Sequence, residues 1–281
     1  MSAPLLNGSG CLDALTAPDV AAQFDAFVTK TITPQSREGN PPVRIAETEA
    51  GMLNSIGLQG PGIEVFLADT LPRLAAQHLP IWVSVGGFSA ADFGGICELL
   101  DGRRDIDVIE LNLSCPNVDE APESSAQIVA ACRASTVKPL YAKLSPSLSD
   151  IAESARAVVA AGADGLTLVN TLRGMALDSA TLRPKLARGF GGYSGPALKP
   201  VALACVSACA RAVDVPIVGL GGVWSGQDAL ELIAAGASVV SLGTVLFSDP
   251  TAPNRIRMEL EAESAARGYA DPLDARGAAN S

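Results

Sequence analysis

Short runs of β-branched and aliphatic residues alternate along the chain with longer Ala-rich runs, from the first residues almost to the last. Runs of the first kind bounded by Gly, Pro, Asn or Asp read as strands, and those of the second kind as helices between them. The pattern predicts strands at 4–8, 27–31, 81–85, 108–114, 141–144, 165–170, 216–221 and 239–244. Helices are predicted at 63–77, 90–100, 125–135, 151–161, 201–212 and 226–235. Such alternation describes a parallel sheet, and eight strands fit a closed α/β barrel, the (β/α)8 or TIM barrel, better than a six-stranded open sheet. No Pro/Gly/Ser tract or charge block divides the chain, so 1–270 is read as one barrel domain and 271–281 as a disordered tail.

In barrels of this kind chemistry sits at the C-terminal strand ends. Here those ends are polar or glycine-rich. The second carries Thr29-Lys30-Thr31, the fourth Asn112-Leu113-Ser114-Cys115, and the fifth Lys143. The sixth ends in Asn170-Thr171, the seventh in Gly221-Gly222 and the eighth in Gly243-Thr244. Two connections, 33–62 and 172–196, are much longer than a strand–helix link. Loops of that length on an active rim are expected to cover it.

Composition narrows the function classes. Of 281 residues 48% are hydrophobic and 18% charged, enough for a sizeable core, and with aromatics at 4% that core must be aliphatic. A net charge of −10 argues against a nucleic-acid surface. No apolar run is long enough for a membrane span, and the N-terminus lacks a basic start followed by an apolar stretch, so a cytoplasmic protein is expected. Six cysteines form no CxxC pair and His78 is the single histidine, which leaves little material for a metal site or a Ser-His-Asp triad. Cys11, Cys97, Cys132, Cys205 and Cys209 are read as reduced thiols in core or helix positions, and His78 as a surface or cap residue.

The most informative stretch is Glu110-Leu-Asn-Leu-Ser-Cys-Pro-Asn117. Strand alternation puts Asn112 and Ser114 on one side before the chain turns at Cys115-Pro116. A thiol presented there can act as a base, beside the amides of Asn112 and Asn117, which suit a planar carbonyl-rich ring; a small buried cysteine is the plain alternative. Lys30 and Lys143 lie in predicted strands, where a buried ammonium needs an anion or polar ligand, unless both are surface residues at strand ends. Glycines at 219, 221, 222 and 243 can bring backbone amides close to a phosphate, or form ordinary tight turns.

These residues resemble a known family. The 110–117 stretch is similar to the catalytic strand of dihydroorotate dehydrogenases. So are Arg37-Glu-Gly-Asn-Pro-Pro-Val-Arg44, Gly51-Met-Leu-Asn-Ser-Ile-Gly-Leu-Gln59 and Tyr141-Ala-Lys-Leu-Ser-Pro146. Val169-Asn-Thr-Leu-Arg-Gly174, Gly191-Gly-Tyr-Ser-Gly-Pro196 and Gly219-Leu-Gly-Gly222 complete the set, in family order over roughly 4–270. Cysteine at 115 resembles the soluble class 1 enzymes, and 51–59 resembles class 1B, whose partner subunit carries FAD and a 2Fe-2S cluster and passes electrons to NAD.

The resemblance implies FMN-dependent oxidation of (S)-dihydroorotate to orotate in pyrimidine biosynthesis, by a cytoplasmic homodimer with or without that electron-transfer subunit. Cys115 would take the pro-S C5 proton while hydride leaves C6 for flavin N5. Lys30, Asn54, Asn112, Asn117, Asn170 and Thr171 would hold the ring and carboxylate, with backbone contacts from Ser55, Ile56, Gly57 and Leu58. Ser9, Lys30, Thr31, Asn112, Lys143 and Val169 would contact FMN, and Gly195, Gly221, Gly222, Gly243 and Thr244 its ribityl-phosphate side. The sequence departs from the family in three places: it begins almost at the first strand, 118–124 is short and lacks glycines, and Asn7 precedes Gly8-Ser9 where an Ala-Ser pair is expected. A related enzyme of dihydrouracil or dihydrothymine, or a flavin carrier without catalysis, are the alternatives.

Overall fold

The computed structural model describes residues 3–113 and 124–280. Eight parallel strands occur where the pattern predicts them: β1 (Leu5–Asn7), β2 (Phe27–Val28), β3 (Ile81–Val85), β4 (Val108–Asn112), β5 (Leu140–Leu144), β6 (Gly165–Leu168), β7 (Ile217–Leu220) and β8 (Val239–Leu242). They are hydrogen-bonded in chain order from β2 to β8, and β8 pairs with β1. The remaining seam, β1 to β2, is closed largely by side chains. Asn7 accepts from the Val28 amide and donates to the Val28 carbonyl, both at 2.8 Å. Asp25 accepts from the Leu5 amide at 2.7 Å and returns its own N–H to the Leu5 carbonyl at 3.0 Å. The two strands are too short for a full ladder, and buried backbone groups require partners. The result is a (β/α)8 barrel.

Alternation along the strands sorts their residues into two cores. Outward residues such as Val83, Ile109, Leu111, Ala142 and Leu166 pack on the surrounding helices. Inside, Leu6, Val28 and Val218 are buried with Trp82, Tyr141 and Val239. The Trp82 and Tyr141 rings lie 4.7 Å apart, and a Cβ on Gly165 would fall 2.4 Å from the Tyr141 ring, so glycine is required there. The next inward layer is polar. Ser84, Glu110, Lys143, Thr167 and Ser241 are all buried, and strand register pairs Ser84 with Glu110, Glu110 with Tyr141, Lys143 with Thr167, Thr167 with Val218 and Ser241 with Leu6.

Helices Ala90–Asp101, Ser125–Ser135, Ile151–Ala160 and Gly226–Ala235 begin at Ser89, Ser124, Asp150 and Ser225, each of whose side chains accepts a first-turn amide. Lys199–Ala210 and Ala252–Ala266 complete the outer ring after β6 and β8. The helix predicted at 63–77 contains a wider π turn at Phe66–Thr70, between Ile63–Val65 and Leu71–Ala75. Pro72 has no N–H to give the carbonyl one turn back, which accounts for the local widening. His78, exposed and at φ 57°, follows the end of this helix.

The tail expected to be disordered is folded instead. Turns at Pro272–Ala275 and Ala278–Asn280 pack against the end of Gly226–Ala235. Asn280 donates to the Ala235 carbonyl at 2.8 Å and Arg276 to Gly236 at 3.0 Å. Helix-end carbonyls lack partners within the helix, and these two side chains supply them despite the tail's low complexity. None of the helices among the described residues is long and apolar enough to cross a membrane.

The two long connections meet each other. Ile45–Thr48 and Gly51–Asn54 from the first, with Leu172–Gly174 and Gly191–Ser194 from the second, form a four-stranded antiparallel sheet. Gly191–Ser194 lies in the middle, paired with Gly51–Asn54 on one side and Leu172–Gly174 on the other.

Candidate active site

The polar strand ends converge on one rim. Asn112, at the end of β4, donates to Thr31 Oγ1 at 3.1 Å, and Thr31 shares a 3.1 Å hydrogen bond with Ser84. Asn170, just past β6, donates to Asn112 Oδ1 at 3.0 Å and accepts the Thr171 amide at 2.7 Å. An arc of side chains therefore runs from Ser84 on β3 through Thr31, Asn112 and Asn170 to Thr171. Side-chain networks of this kind fix rotamers and hold amides in one orientation.

Lys143 stands inside this arc. It is buried, donates to Ser9 Oγ at 2.9 Å and pairs with Glu110 at 3.5 Å. Lys30 follows β2 and is partly exposed; a Cβ on Gly10 would lie 3.6 Å from its Nζ. Burial pushes the Lys30 ammonium below the ordinary lysine range, since removing a charge from water favours its neutral form. Cys11, read from sequence as a core or helix thiol, lines the same mouth: its sulfur would be 3.5 Å from a Cβ on Gly8 and 3.6 Å from one on Gly243. Burial pushes its thiol up, while Lys143 and Lys30 oppose the shift.

The antiparallel sheet brings the remaining candidates to this rim. Asn54 ends Gly51–Asn54 and donates to the Gly192 carbonyl at 3.2 Å. Residues 55–59 then form a strapped turn. Asn40 donates its backbone amide to Ile56 at 2.9 Å and its side-chain amide to the Ser55 carbonyl and hydroxyl at 3.1 and 3.0 Å. Arg37 donates to Gly57 at 3.2 Å and Arg44 to Gln59 at 2.6 Å. Gly57 has φ +78°, and an added Cβ would meet Asn40 at 2.6 Å. Leu58, at φ 55°, lies over Gly86 just past β3. Thr171 packs on Gly192, where a Cβ would fall 2.0 Å from its hydroxyl.

At β7 and β8, Gly221 and Gly222 adopt φ +128° and +76°. Val169 is buried beside them, donating to Leu220 at 2.7 Å. Thr244 donates to Ser194 Oγ at 2.8 Å, which joins the end of β8 to the strand leading into Gly195. Thr244 also opens a 3₁₀ turn, Thr244–Phe247, whose first amides have no partner within the turn. Cys115 and Asn117 lie outside the described residues.

A flavin mononucleotide fits this donor set. The Lys143 ammonium and the Ser9 hydroxyl suit the carbonyl edge of the ring, and the glycine turns after β7 and β8 suit its phosphate. Two buried oxygens in the layer beneath, Thr167 Oγ1 and Glu110 Oε1, have no hydrogen-bond partner among the described residues.

Sequence reasoning did not assign roles to Glu110, Cys11, Ser84 or Asn7. Alternation alone places Glu110 on the same side as Asn112 and was a usable signal for it. The others depend on strands distant in sequence.

Residues 1–263 match the family model described as dihydroorotate dehydrogenase. A catalytic subunit of dihydroorotate dehydrogenase B (NAD(+)) from Trichlorobacter lovleyi is 45% identical over 89% of this chain and 84% of that protein. A putative dihydroorotate dehydrogenase A (fumarate) from Solibacter usitatus is 44% identical over 83% and 79%. Among solved structures, a dihydroorotate dehydrogenase from Eimeria tenella in complex with ferulenol superposes with a TM-score of 0.82. It covers 99% of this chain and 85% of that one at 24% identity, a likeness of fold.

Proposed function

The chain belongs to the dihydroorotate dehydrogenase family, and from that premise we propose that it oxidises (S)-dihydroorotate to orotate, a step of pyrimidine biosynthesis, with FMN as its flavin. The observation that carries this reading is one barrel mouth holding a buried ammonium at Lys143, a second cation at Lys30 and an amide arc through Asn112 and Asn170. An anionic, carbonyl-rich ring needs that combination, since each of its acceptors must replace water.

In this reading Lys30 and the amides of Asn54, Asn112, Asn117 and Asn170, with Thr171, hold the carboxylate and ring carbonyls. Backbone groups of Ser55, Ile56, Gly57 and Leu58 close over the ring. Thr31, Ser9 and Val169 flank the flavin, and Gly195, Gly221, Gly222, Gly243 and Thr244 receive its ribityl phosphate. Cys115 takes the C5 proton as a thiolate base. FMN, when bound, would supply the acceptor for the hydride from C6, so that loss of that hydride and of the proton taken by Cys115 would leave C5–C6 double. Lys143 would hold the carbonyl edge of the ring, where its ammonium would offset negative charge.

We further propose a cytoplasmic homodimer; the B-type relatives named as catalytic subunits support a second subunit, taken as the electron-transfer partner with FAD and a 2Fe-2S cluster that the sequence resemblance implies. Fumarate is the competing acceptor, raised by the A-type relative.

The test begins with the purified protein. It is expected to be yellow, to release FMN on heating, and to bleach without oxygen on adding dihydroorotate but not dihydrouracil or dihydrothymine. Bleaching by the uncarboxylated rings instead would move the assignment to their enzymes, and a colourless protein that takes up no FMN would end it.

A further inference from the structure

We propose that Glu110 is a positioning residue for Lys143: its buried carboxylate fixes the ammonium beneath the flavin and restrains how strongly that ammonium favours the reduced ring. The proposal rests on the reading of the mouth as an FMN site and concerns a residue which that reading leaves without a role.

Three observations support it. First, the pair is enclosed, with side chains only 3% and 5% exposed for Glu110 and Lys143. A charge so placed is costly unless paired, and the neighbouring Ser84, Thr167 and Ser241 are neutral. Second, the pair is not closed up. Lys143 reaches Ser9 at 2.9 Å but stands 3.5 Å from Glu110, beyond the roughly 2.7–2.9 Å of a charge-assisted hydrogen bond, and Glu110 Oε1 has no hydrogen bond among the described residues. The ammonium is thus held toward the mouth by a hydroxyl and anchored from below by a carboxylate. Third, strand register makes the arrangement rigid. Glu110 is two places before Asn112 on β4, and Asn112 is the register partner of Lys143 on β5. The same strand therefore carries the anion below the ammonium and the amide beside it.

The electrostatic consequence has a definite sign. Negative charge that develops on a reduced flavin is attracted by Lys143 and repelled by Glu110. Enclosure makes both effects larger than at a surface. Replacing the carboxylate by an isosteric amide removes the repulsion and leaves the ammonium unopposed.

The test is the midpoint potential of bound FMN, measured by equilibration with redox dyes and without dihydroorotate, so that it does not depend on the substrate assignment. Glu110→Gln is expected to favour the reduced flavin at least tenfold, a rise of about 30 mV for a two-electron couple. Glu110→Asp, which keeps the charge, is expected to stay closer to the parent protein. A Glu110→Gln potential equal to that of the parent would overturn the proposal. If Glu110→Gln loses FMN, Lys143→Met is compared with the double variant Lys143→Met/Glu110→Gln. Better FMN retention in the double variant supports the coupling, and retention no better than in Lys143→Met contradicts it. A parent protein that binds no FMN would instead sink the reading beneath the proposal.

Discussion

Lys30 and Lys143 bring the same charge to one barrel mouth and differ in what surrounds them. Lys143 has a carboxylate and a hydroxyl; Lys30 is partly exposed, and burial pushes it below the ordinary lysine range. Lys30 therefore releases its proton at lower pH than a free lysine, and an anionic ligand needs the protonated form. Orotate affinity should hold on the acid side and fall as pH rises through this transition, which lies below the ordinary value of 10.5. Lys30→Met should remove the transition and weaken binding at neutral pH by about tenfold to a hundredfold, as expected for a lost hydrogen bond to a charged group. Calorimetric titration of both proteins across the neutral-to-alkaline range checks this, and a parallel pH dependence in the two would exclude Lys30. For Cys115→Ala the expected result is retained FMN with flavin reduction slowed about 10²–10⁴-fold in stopped flow, the range of a lost general base. Near-normal reduction would remove the thiol from the mechanism. Both residues stand out in the sequence because their types are unusual at strand ends. Cys11 does not, because its place on the mouth is fixed by Gly8 and Gly243, the latter more than two hundred positions away.

At the scale of elements, the barrel's strands and most of its helices can be read from the chain because each is a continuous run with its own boundary signals, such as Ser225 before Gly226–Ala235. The antiparallel sheet has no such signature. Its strands are three or four residues long, three of them with glycine, and Gly192 finds its partner Asn54 far back in the chain, so the two long connections read as covers without internal order. Gly192 shows what that order does for the site. A Cβ there would fall 2.0 Å from Thr171 Oγ1, so Gly192→Ala should displace Thr171 and weaken orotate binding at least tenfold with little change in thermal midpoint. Unchanged affinity would separate the sheet from the substrate. The β1–β2 seam is hidden for a related reason: Asn7 reads only as the residue before a small change at Gly8-Ser9, until Val28 is seen beside it. Asn7→Leu leaves a buried amide and carbonyl unpaired and should cost about 3 kcal/mol, lowering the melting temperature by about 2–4 °C for each kcal/mol. A melting temperature equal to the parent's would show that the seam closes without this side chain.

Across the whole molecule, apolar residues, Trp82 and Tyr141 among them, fill one level of the barrel, a buried polar layer lies above them, and the amide arc stands at the mouth. That stacking follows from strand alternation combined with register, which turns residues remote in sequence into neighbours on one level. It explains why fold and general site location were legible from spacing, while charge pairing inside the polar layer was not. The tail shows the opposite failure: composition pointed to disorder, but Arg276 and Asn280 find carbonyl partners at a helix end. If this mouth couples an anionic ring to a flavin, the ring and the flavin must change together. The most direct test is to mix FMN-loaded protein with one equivalent of dihydroorotate in the absence of oxygen, following flavin absorbance and orotate together. One orotate is expected per flavin bleached, with both signals on the same time course; bleaching without orotate, or full absorbance after mixing, would rule the coupling out.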